Sequence, residues 1–264
     1  MFDVEKYGPW AVIAGGSEGV GPEFALLLAD VGINSVLIAR KPEPLAAAAE
    51  AVRAKGVEVR TVSVDLTDPA SMDDIIEATK DLDIGFYFHN PGANTYGHEF
   101  ITGDLEKFQK VVDLNIGATM RLMQYFGKRL ADRGRGGILV SGSGAGLSGS
   151  AEISVYAAAK AFKSVFTESM WLELRKYNVD VMELVLGVVR TPAMERAGLN
   201  FDIPGMVVSD PADVARDAFE NFGTSPVKFS DGNEESMSAR RSPDRAKVLQ
   251  QIYEHSLKLL PPRD

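Results

Sequence analysis

The sequence predicts an α/β protein in which a doubly wound, mostly parallel β-sheet of about seven strands carries helices on both faces. Short segments rich in β-branched and aromatic residues alternate with longer helical segments, which is the pattern of strand–helix–strand units joined by right-handed crossovers. Several strand segments are nearly continuous apolar runs, as expected for parallel strands covered on both sides. A turn containing Gly15, Gly19 and Gly21 directly follows the first strand segment, and such a turn is typical of a tight strand-to-helix connection.

The individual elements follow from their local patterns. Strands are predicted at residues 10–14, 35–39, 57–64, 84–89, 137–141, 179–186 and 226–229. Helices are predicted at residues 22–31, 43–55, 69–80, 104–133, 154–177 and 211–222, with a last helix from Ser242 and Pro243 to about Leu259. Asp210 and Pro211 form a strong start signal, because aspartate caps helices and proline is preferred at the first helical position.

Residues 187–209 break this alternation. They contain Gly187, Pro192, Gly198, Pro204 and Gly205, so we interpret them as an irregular, substrate-binding loop. Residues 230–241 form a polar stretch, and residues 242–264 form a C-terminal helix and tail. Since no repeat or low-complexity linker divides the chain, we expect residues 1–264 to form a single domain.

Composition narrows the possible functions. The chain has 264 residues and a formal net charge of −9, which argues against nucleic acid or anionic lipid as the main partner. It has no cysteine and only three histidines, without metal-ligand spacing, so we expect no metal site. The N-terminus lacks a signal-peptide pattern and no apolar run approaches ~20 residues, so we expect a cytoplasmic protein without a membrane span.

The glycine turn predicts a nucleotide site. The glycines at positions 15, 19 and 21 allow the backbone to approach a pyrophosphate, which would lie at the N-terminus of the following helix. The spacing is Gly-x-x-x-Gly-x-Gly, and a tight turn without a ligand is the alternative interpretation.

The end of the second strand favours NADP(H), with NAD(H) possible. Proteins that bind NAD usually have an acidic residue there, whereas this chain has Ala39 followed by Arg40 and Lys41. The planar fork of Arg40 can bind a 2′-phosphate. The alternative is a solvated basic pair, and Glu18 in the glycine turn adds an opposing charge nearby.

Tyr156 and Lys160 form a candidate acid–base pair. Four residues are just over one helical turn, so both side chains lie on one face of the predicted helix. An ammonium close to a phenol favours the phenolate, and the pair can therefore transfer protons near neutral pH.

These motifs, in this order, resemble the single-domain short-chain dehydrogenase/reductases over about residues 8–195. The turn from Ala14 to Gly21 is similar to that family's TGxxxGxG motif. The acidic position at Asp65, followed by Leu66, resembles the family's adenine-contacting pair. Residues 89–92 resemble its NNAG motif, and residues 187–192 resemble the PGxxxTP segment that contacts the nicotinamide.

The resemblance also implies a catalytic tetrad of Asn115, Ser143, Tyr156 and Lys160. Tyr156 would exchange a proton with the substrate oxygen, Ser143 would donate a hydrogen bond to it, and Lys160 would bind the nicotinamide ribose. Asn115 would hold a relay water behind Lys160; by itself it could merely bend the long helix. The implied cofactor contacts are Gly15, Ser17, Glu18, Gly19, Val20, Arg40, Asp65, Leu66, Asn90, Gly92, Tyr156, Lys160, Gly187, Val189 and Thr191.

Four positions depart from the family pattern. Ala14 replaces a threonine whose hydroxyl usually ties two loops together, and Leu186 replaces the proline before Gly187. His89 and Pro91 replace asparagine and alanine. Because Pro91 has no N–H, we expect the hydrogen bonds of that loop to differ.

The expected substrate is a small-molecule ketone or secondary alcohol with an apolar or aromatic body, because apolar residues follow Thr191. These residues could equally pack the loop onto the protein. His89 is expected to be a packed residue, His98 to lie near the cleft rim, and His255 to be solvated. Glu183 interrupts the sixth strand and is expected only to find a partner at the strand end.

The resemblance further implies a homodimer or homotetramer that pairs through helices 104–133 and 154–177. Trp171, Phe126 and Tyr125 could fill that seam or pack on the sheet. The second functional hypothesis is a nucleotide-binding regulatory or interaction protein without turnover, and the complete tetrad argues against it.

Overall fold

A computed structural model describes residues 2–230 and 233–259. A seven-stranded sheet, in the order β3-β2-β1-β4-β5-β6-β9, is parallel at every strand pair. Its strands are β1 (Trp10–Ala14), β2 (Asn34–Ala39), β3 (Val59–Ser63), β4 (Ile84–His89), β5 (Gly136–Ser141), β6 (Val179–Val185) and β9 (Val227–Phe229). The predicted α/β class and the doubly wound sheet are confirmed.

Helices precede, separate and follow these strands. They are α1 (Val4–Tyr7), α2 (Val20–Asp30), α3 (Pro42–Arg53), α4 (Ser71–Thr79), α5 (Leu105–Val112), α6 (Ala118–Arg133), α7 (Ser154–Leu174), α8 (Pro192–Arg196), α9 (Pro211–Asn221), α10 (Glu234–Ala239) and α11 (Arg245–Leu259). Two short strands, β7 (Val188–Val189) and β8 (Val208–Ser209), pair with each other outside the main sheet.

The sheet is covered on both faces, which explains its apolar strands. Every residue of β1, β4 and β5 is buried. On one face, Phe24 of α2 packs among Phe86 and Phe88. On the other, Phe126 of α6 stacks on Tyr87, with ring centroids 4.5 Å apart. Residues that alternate along β4 therefore enter two separate apolar clusters, as the period of a strand requires.

The strand order places a switch point between β1 and β4. The chain extends from β1 toward β3 on one side and from β4 toward β9 on the other, so crossovers run in opposite directions from the centre. In such sheets ligands bind beyond the carboxyl ends of the strands at this point. The glycine turn, the 89–92 loop and the serine loop all follow strands that end there.

Three predicted elements differ from the structure. Residues 104–133 are two helices separated by a π-helical turn at Asp113–Gly117. Residues 187–209 are more ordered than expected, since they contain β7, α8 and β8. The polar stretch 230–241 contains the unpredicted helix α10. Residues 231–232 of that stretch and 260–264 of the predicted tail lie outside the described residues.

Within the described ranges, no helix combines the length and apolarity that crossing a membrane would require. No group of three or more His, Asp or Glu side chains there has the arrangement of a metal site.

Candidate active site

The glycine turn packs so closely that it leaves no room for side chains at two of its positions. A Cβ on Gly21 would stand 2.2 Å from the carbonyl oxygen of Gly15. Gly19 has a φ of 71°, and a Cβ there would stand 2.9 Å from Cγ2 of Thr191. In the described chain no side chain caps the N-terminus of α2. Its first amides can therefore bind a phosphate, which is the fit that a dinucleotide requires.

Asn90 holds this turn to the neighbouring strands. Its backbone N–H donates to Ala14 O at 3.1 Å, and its Nδ2 donates to Gly15 O at 3.2 Å. Its Oδ1 accepts from Ser141 Oγ at 2.7 Å. The side chain of Asn90 thus connects β1 to β5, and these bonds tie the loops although Ala14 lacks the family's threonine hydroxyl.

Charged side chains surround the position expected for the adenosine ribose. Arg40 is half exposed, and its Nη1 lies 4.0 Å from Oδ2 of Asp65. Burial acts to raise the pKa of Asp65, but hydrogen bonds from Thr67 and the charge of Arg40 outweigh it, so the pKa is lowered. Both residues lie at the carboxyl ends of adjacent strands, as the resemblance implied.

Glu18 is neutralised by two cations. Arg196 of α8 donates to both of its carboxylate oxygens, and Nζ of Lys41 lies 3.7 Å from Oε1. The hydrogen bond from Arg196, with the charges of Arg196 and Lys41, lowers the pKa of Glu18. Because this carboxylate is paired with Arg196 and Lys41, it opposes a 2′-phosphate less than its charge alone would suggest.

The other predicted cofactor residues differ in how much of each is accessible. The side chains of Val20, Leu66 and Val189 are buried, so a cofactor could contact only their main-chain atoms. Gly187 lies beside Asn233, since a Cβ there would stand 2.8 Å from Asn233 Nδ2. Ser17 is half-buried within the turn.

Tyr156 and Lys160 lie one turn apart on α7. Nζ of Lys160 is 5.6 Å from the centroid of the Tyr156 ring and donates to Ser141 O at 3.4 Å. Lys160 is 3% exposed, whereas Tyr156 is only half-buried and can meet a ligand.

Asn115 lies in the π-helical turn. Its Nδ2 donates to Val111 O at 2.9 Å, which is the carbonyl that its own backbone N–H would use in an α-helix. Nδ2 also donates to Ala93 O at 3.1 Å. Its Oδ1 is buried without a hydrogen-bond partner among the described residues.

Asn115 and Lys160 converge at Gly92. Asn115 Oδ1 and Lys160 Nζ lie 2.8 Å and 2.9 Å from the point at which a Cβ on Gly92 would stand. Gly92 has a φ of 147° and leaves that space open. An unpartnered acceptor and an ammonium facing one small space form the setting in which a water would be bound.

Ser143 precedes a short 3₁₀ turn at Gly144–Leu147. Its Oγ accepts from Ala145 N at 3.2 Å, so its proton stays available for another acceptor. A Cβ on Gly146 would stand 2.7 Å from the backbone carbon of Lys160, so this turn packs directly against α7. The structure therefore brings all four tetrad candidates to one edge of the sheet.

His89 belongs to a buried network behind the π-helical turn. Thr119 Oγ1 donates to Asn115 O at 2.7 Å and lies 2.9 Å from His89 Nε2. Since the hydroxyl has one proton, Nε2 is the donor to it. Nδ1 then accepts from Tyr87, 2.6 Å away. Burial, with the charges of Lys163 and Lys160, lowers the pKa of His89, in agreement with a neutral, packed ring.

Lys163 is a functional candidate that sequence reasoning missed. It is fully buried, donates to Pro91 O at 2.8 Å, and lies 3.2 Å from the same Cβ point at Gly92. It therefore holds the 89–92 loop against α7. Burial, together with the charge of Lys160, lowers its pKa. Its spacing of three from Lys160 was the available signal.

Glu183, unexplained from the sequence, lies below the same cluster. Its Oε2 accepts from Ser164 Oγ at 2.7 Å. Burial raises the pKa of this carboxyl. The nearby Gly142 is required, because a Cβ there would stand 2.1 Å from Glu183 Oε1.

A cavity of about 580 Å³ begins at Ser143 and ends under α11. Its walls are mostly apolar and include Met206 and Val207 of the predicted substrate loop. Phe201 of that loop instead packs under Arg190, 4.3 Å from its ring centroid. His255, expected to be solvated, is half-buried and lines this cavity. His98 is exposed and is absent from the lining.

The residues present fit a nicotinamide dinucleotide. The glycine turn would hold its pyrophosphate, Arg40 and Asp65 would flank the adenosine ribose, and Lys160 would meet the nicotinamide ribose. When bound, the nicotinamide gives or takes the hydride.

Comparisons with known proteins agree with this geometry. A family model for short chain dehydrogenase matches residues 9–200. A 7beta-hydroxysteroid dehydrogenase of Clostridium sardiniense is 30% identical over 250 residues, which cover 94% of this chain and 95% of that protein.

Two solved structures extend the likeness to the whole fold. A 7beta-hydroxysteroid dehydrogenase structure superposes with a TM-score of 0.86 at 26% identity, over 96% of this chain and 99% of the other. A short-chain dehydrogenase from Sphingobium yanoikuyae in complex with NADPH gives a TM-score of 0.78 at 27% identity, over 89% and 94% of the two chains. The chain belongs to the short-chain dehydrogenases/reductases, a family of NAD(P)(H)-dependent oxidoreductases.

Proposed function

We propose that this protein reduces a carbonyl group, or oxidises the corresponding secondary alcohol, on an apolar substrate with NADP(H). The observation that carries the proposal is the convergence of Asn115 Oδ1 and Lys160 Nζ at Gly92, one helical turn from Tyr156 and beside a mostly apolar cavity.

The proposed chemistry uses four side chains. In reduction the carbonyl carbon gains a hydride and its oxygen becomes negative. Tyr156 then gives its hydroxyl proton to that oxygen, while the free O–H of Ser143 stabilises the developing charge. The resulting phenolate is balanced by the ammonium of Lys160. In oxidation each transfer runs in reverse.

Asn115 would connect this site to the reprotonation of Tyr156. Its unpartnered Oδ1 and the Lys160 ammonium face the same small space at Gly92. A water there can accept a hydrogen bond from the ammonium and donate one to Oδ1. A proton would return to Tyr156 through that water and Lys160.

The charge balance supports NADP(H) over NAD(H). Arg40, Lys41 and Arg196 contribute three positive charges near the ribose position, against Glu18 and Asp65. Arg40 is better placed than Arg196 to meet a 2′-phosphate, because its contact with Asp65 is long, at 4.0 Å, whereas Arg196 is hydrogen-bonded to Glu18. Charge-assisted bonds to such a group are worth roughly 1.5–3 kcal/mol each.

The cavity supports a bulky substrate. A volume of about 580 Å³ with apolar walls suits a polycyclic or aromatic body. The relatives named 7beta-hydroxysteroid dehydrogenase fit this size class, so a hydroxysteroid or oxosteroid is the first candidate.

The test follows cofactor absorbance with oxosteroids and aromatic ketones, using NADPH and NADH in both directions. We expect kcat/KM to be about 10-fold higher with NADPH, the low end of the range for one charge-assisted bond. Turnover without any preference would contradict the cofactor assignment. Binding of cofactor without turnover of any substrate would instead favour a regulatory protein.

A double variant tests the Arg40 assignment. Ala39→Asp with Arg40→Leu supplies an acceptor for ribose hydroxyls and removes the phosphate contact, so the preference should reverse. Arg135→Leu, at an exposed position outside the site, is the matched control and should keep the wild-type preference. An unchanged KM for NADPH in Arg40→Leu would exclude this role.

A further inference from the structure

Two basic side chains line the side of the cavity that is formed by α10 and α11. Arg240 follows α10 and His255 lies on α11, and both are half-buried. Nη1 of Arg240 donates to Gly144 O at 3.1 Å, so the guanidinium lies beside the serine loop. Both residues also line a smaller cavity of about 170 Å³ next to the first.

The side chains of this wall that can carry a positive charge are Arg240 and His255. Burial lowers the pKa of Arg240. Burial, then the positive charges of Arg240 and Lys258, lower the pKa of His255. Glu152 is the carboxylate among the described residues that line the large cavity, and it forms no ion pair with either group there.

A guanidinium has five N–H donors in a fixed planar fork, and one main-chain carbonyl occupies only one of them. Among the residues that the structure describes, no other acceptor for Arg240 is present, and no carboxylate opposes its charge. Burying a charge without a partner is unfavourable. An oxyanion in the cavity would meet both needs, and a carboxylate matches the fork in geometry.

We infer that Arg240, assisted by His255, binds a carboxylate of the substrate. The substrate is then an apolar ketone or secondary alcohol that carries an anionic group at the end directed toward α10 and α11. This inference rests on the proposed function, since it assumes that the cavity beside Ser143 receives the reacting molecule.

A purely structural role for Arg240 makes a different prediction. If the guanidinium serves only to fix α10 against Gly144 O, its loss should weaken turnover of charged and neutral substrates alike. If it binds a carboxylate, only the charged substrate should suffer.

The experiment compares keto acids with their methyl esters, which differ in charge but little in shape. The pairs are 4-acetylbenzoate and an oxosteroid bearing a side-chain carboxylate, each beside its ester. In the wild type we expect kcat/KM for at least one acid to exceed that of its ester about 10-fold or more, the scale of one charge-assisted bond. Arg240→Gln should remove this ratio while changing the ester less than about 3-fold.

Arg241→Gln is the matched control, because Arg241 is exposed and absent from both cavities. Arg240→Lys keeps the charge but loses the fork, so it should retain part of the ratio. Circular dichroism and melting temperature establish that each variant is folded. If Arg240→Gln does not fold, the acid-to-ester ratio of kcat/KM is measured in Arg240→Lys and His255→Gln. A lower ratio than in the wild type supports the carboxylate site, and an unchanged ratio in both variants overturns it.

The outcomes separate this inference from the proposed function. Equal wild-type kcat/KM for acid and ester, or an equal fall for both in Arg240→Gln, would overturn the carboxylate site while leaving the oxidoreductase intact. If no substrate is turned over at all, the proposed function fails. Calorimetric titration of the same pairs in the presence of NADP⁺ then tests the site. The site is supported if the wild type binds the acid and Arg240→Gln does not. It is overturned if the wild type binds acid and ester equally.

Discussion

At the scale of single residues, Tyr156 can be tested by removing one oxygen. Tyr156→Phe keeps the ring near Lys160 and removes the proton, so kcat should fall by about 10²–10⁴-fold. The NADPH dissociation constant, measured by fluorescence titration, should change little because the ring remains. Tyr177→Phe, at an exposed tyrosine, should be active. A Tyr156→Phe enzyme with more than a tenth of wild-type kcat would exclude Tyr156 as the acid.

Lys163 should make the stability of the protein depend on pH. Burial and Lys160 lower its pKa, so the unfolded chain binds more protons than the folded one between that lowered value and the ordinary lysine value. Wild-type stability should therefore rise with pH across this window. Lys163→Met removes the group whose pKa is lowered on folding, and we expect it to stabilise the protein by on the order of 1–3 kcal/mol at pH 7.

Urea unfolding at pH 7 and pH 9.5 measures this effect. The advantage of Lys163→Met should shrink at the higher pH, because the unfolded wild-type chain binds its extra proton less strongly as the pH approaches the ordinary lysine pKa. Lys176→Met, at an exposed lysine, should show no such change. A constant difference between Lys163→Met and wild type at both values would contradict the assignment.

The residues that sequence patterns identify are those whose spacing is set within one element or one motif. Tyr156 and Lys160 share a helix face, and Arg40 directly follows a strand, so their positions in the fold could be predicted. Lys163, Arg196 and Thr119 gain their roles from partners far along the chain, at Pro91, Glu18 and His89. No local pattern contains those contacts. The roles of the tetrad remain predictions until the variants are measured.

At the scale of elements, the π-helical turn depends on Thr119 of α6. Its hydroxyl accepts from His89 and donates to Asn115 O, so Thr119→Val leaves a buried N–H without a partner. We expect a loss of about 1–3 kcal/mol in the free energy of unfolding, measured by urea denaturation. Thr167→Val is a close control, because Thr167 is equally buried but donates only to Lys163 O of its own helix. Equal losses of unfolding free energy in both variants would show that the hydrogen bond from His89 adds no stability of its own.

The elements differ in how well their sequence defines them. Strands 10–14 and 84–89 were predicted to the residue, because an unbroken apolar run has clear ends. Residues 104–133 read as one helix, because a π-helical turn of five residues leaves the apolar period nearly unchanged. Residues 187–209 contain β7 and β8, which are two residues each and too short to show a period.

At the scale of the whole molecule, α6 and α7 are expected to pair two copies of the chain. Phe126 packs on the sheet rather than at a seam, but Val165 and Leu172 on α7 are 65% and 64% exposed. Val165→Glu with Leu172→Glu places two charges in such an interface. We expect wild type to be a dimer or tetramer by light scattering and the variant to have a lower mass. Val31→Glu, an exposed position on another surface, should keep the wild-type mass. A monomeric wild type would exclude this assembly.

The order of the strands also affects how the chain can fold. β1 pairs with β2 on one side and with β4 on the other, so Trp10 contacts both Asn34 and Ile84. Parallel neighbours cannot be joined by hairpins, and each pairing must close a long loop before it gains a contact. Folding should therefore be slower than that of a helical bundle of this size, because the strand pairings join segments that are distant in the sequence.

The same arrangement matters during synthesis. Before residue 84 has emerged, β1, β2 and β3 can form only half a sheet, and the edge of β1 that later meets β4 stays open. An apolar strand with an unpaired edge is a template for association with other chains. A chain that stops short of β4 is therefore expected to aggregate, and chaperone binding to nascent chains should be strongest while β1 still lacks this neighbour.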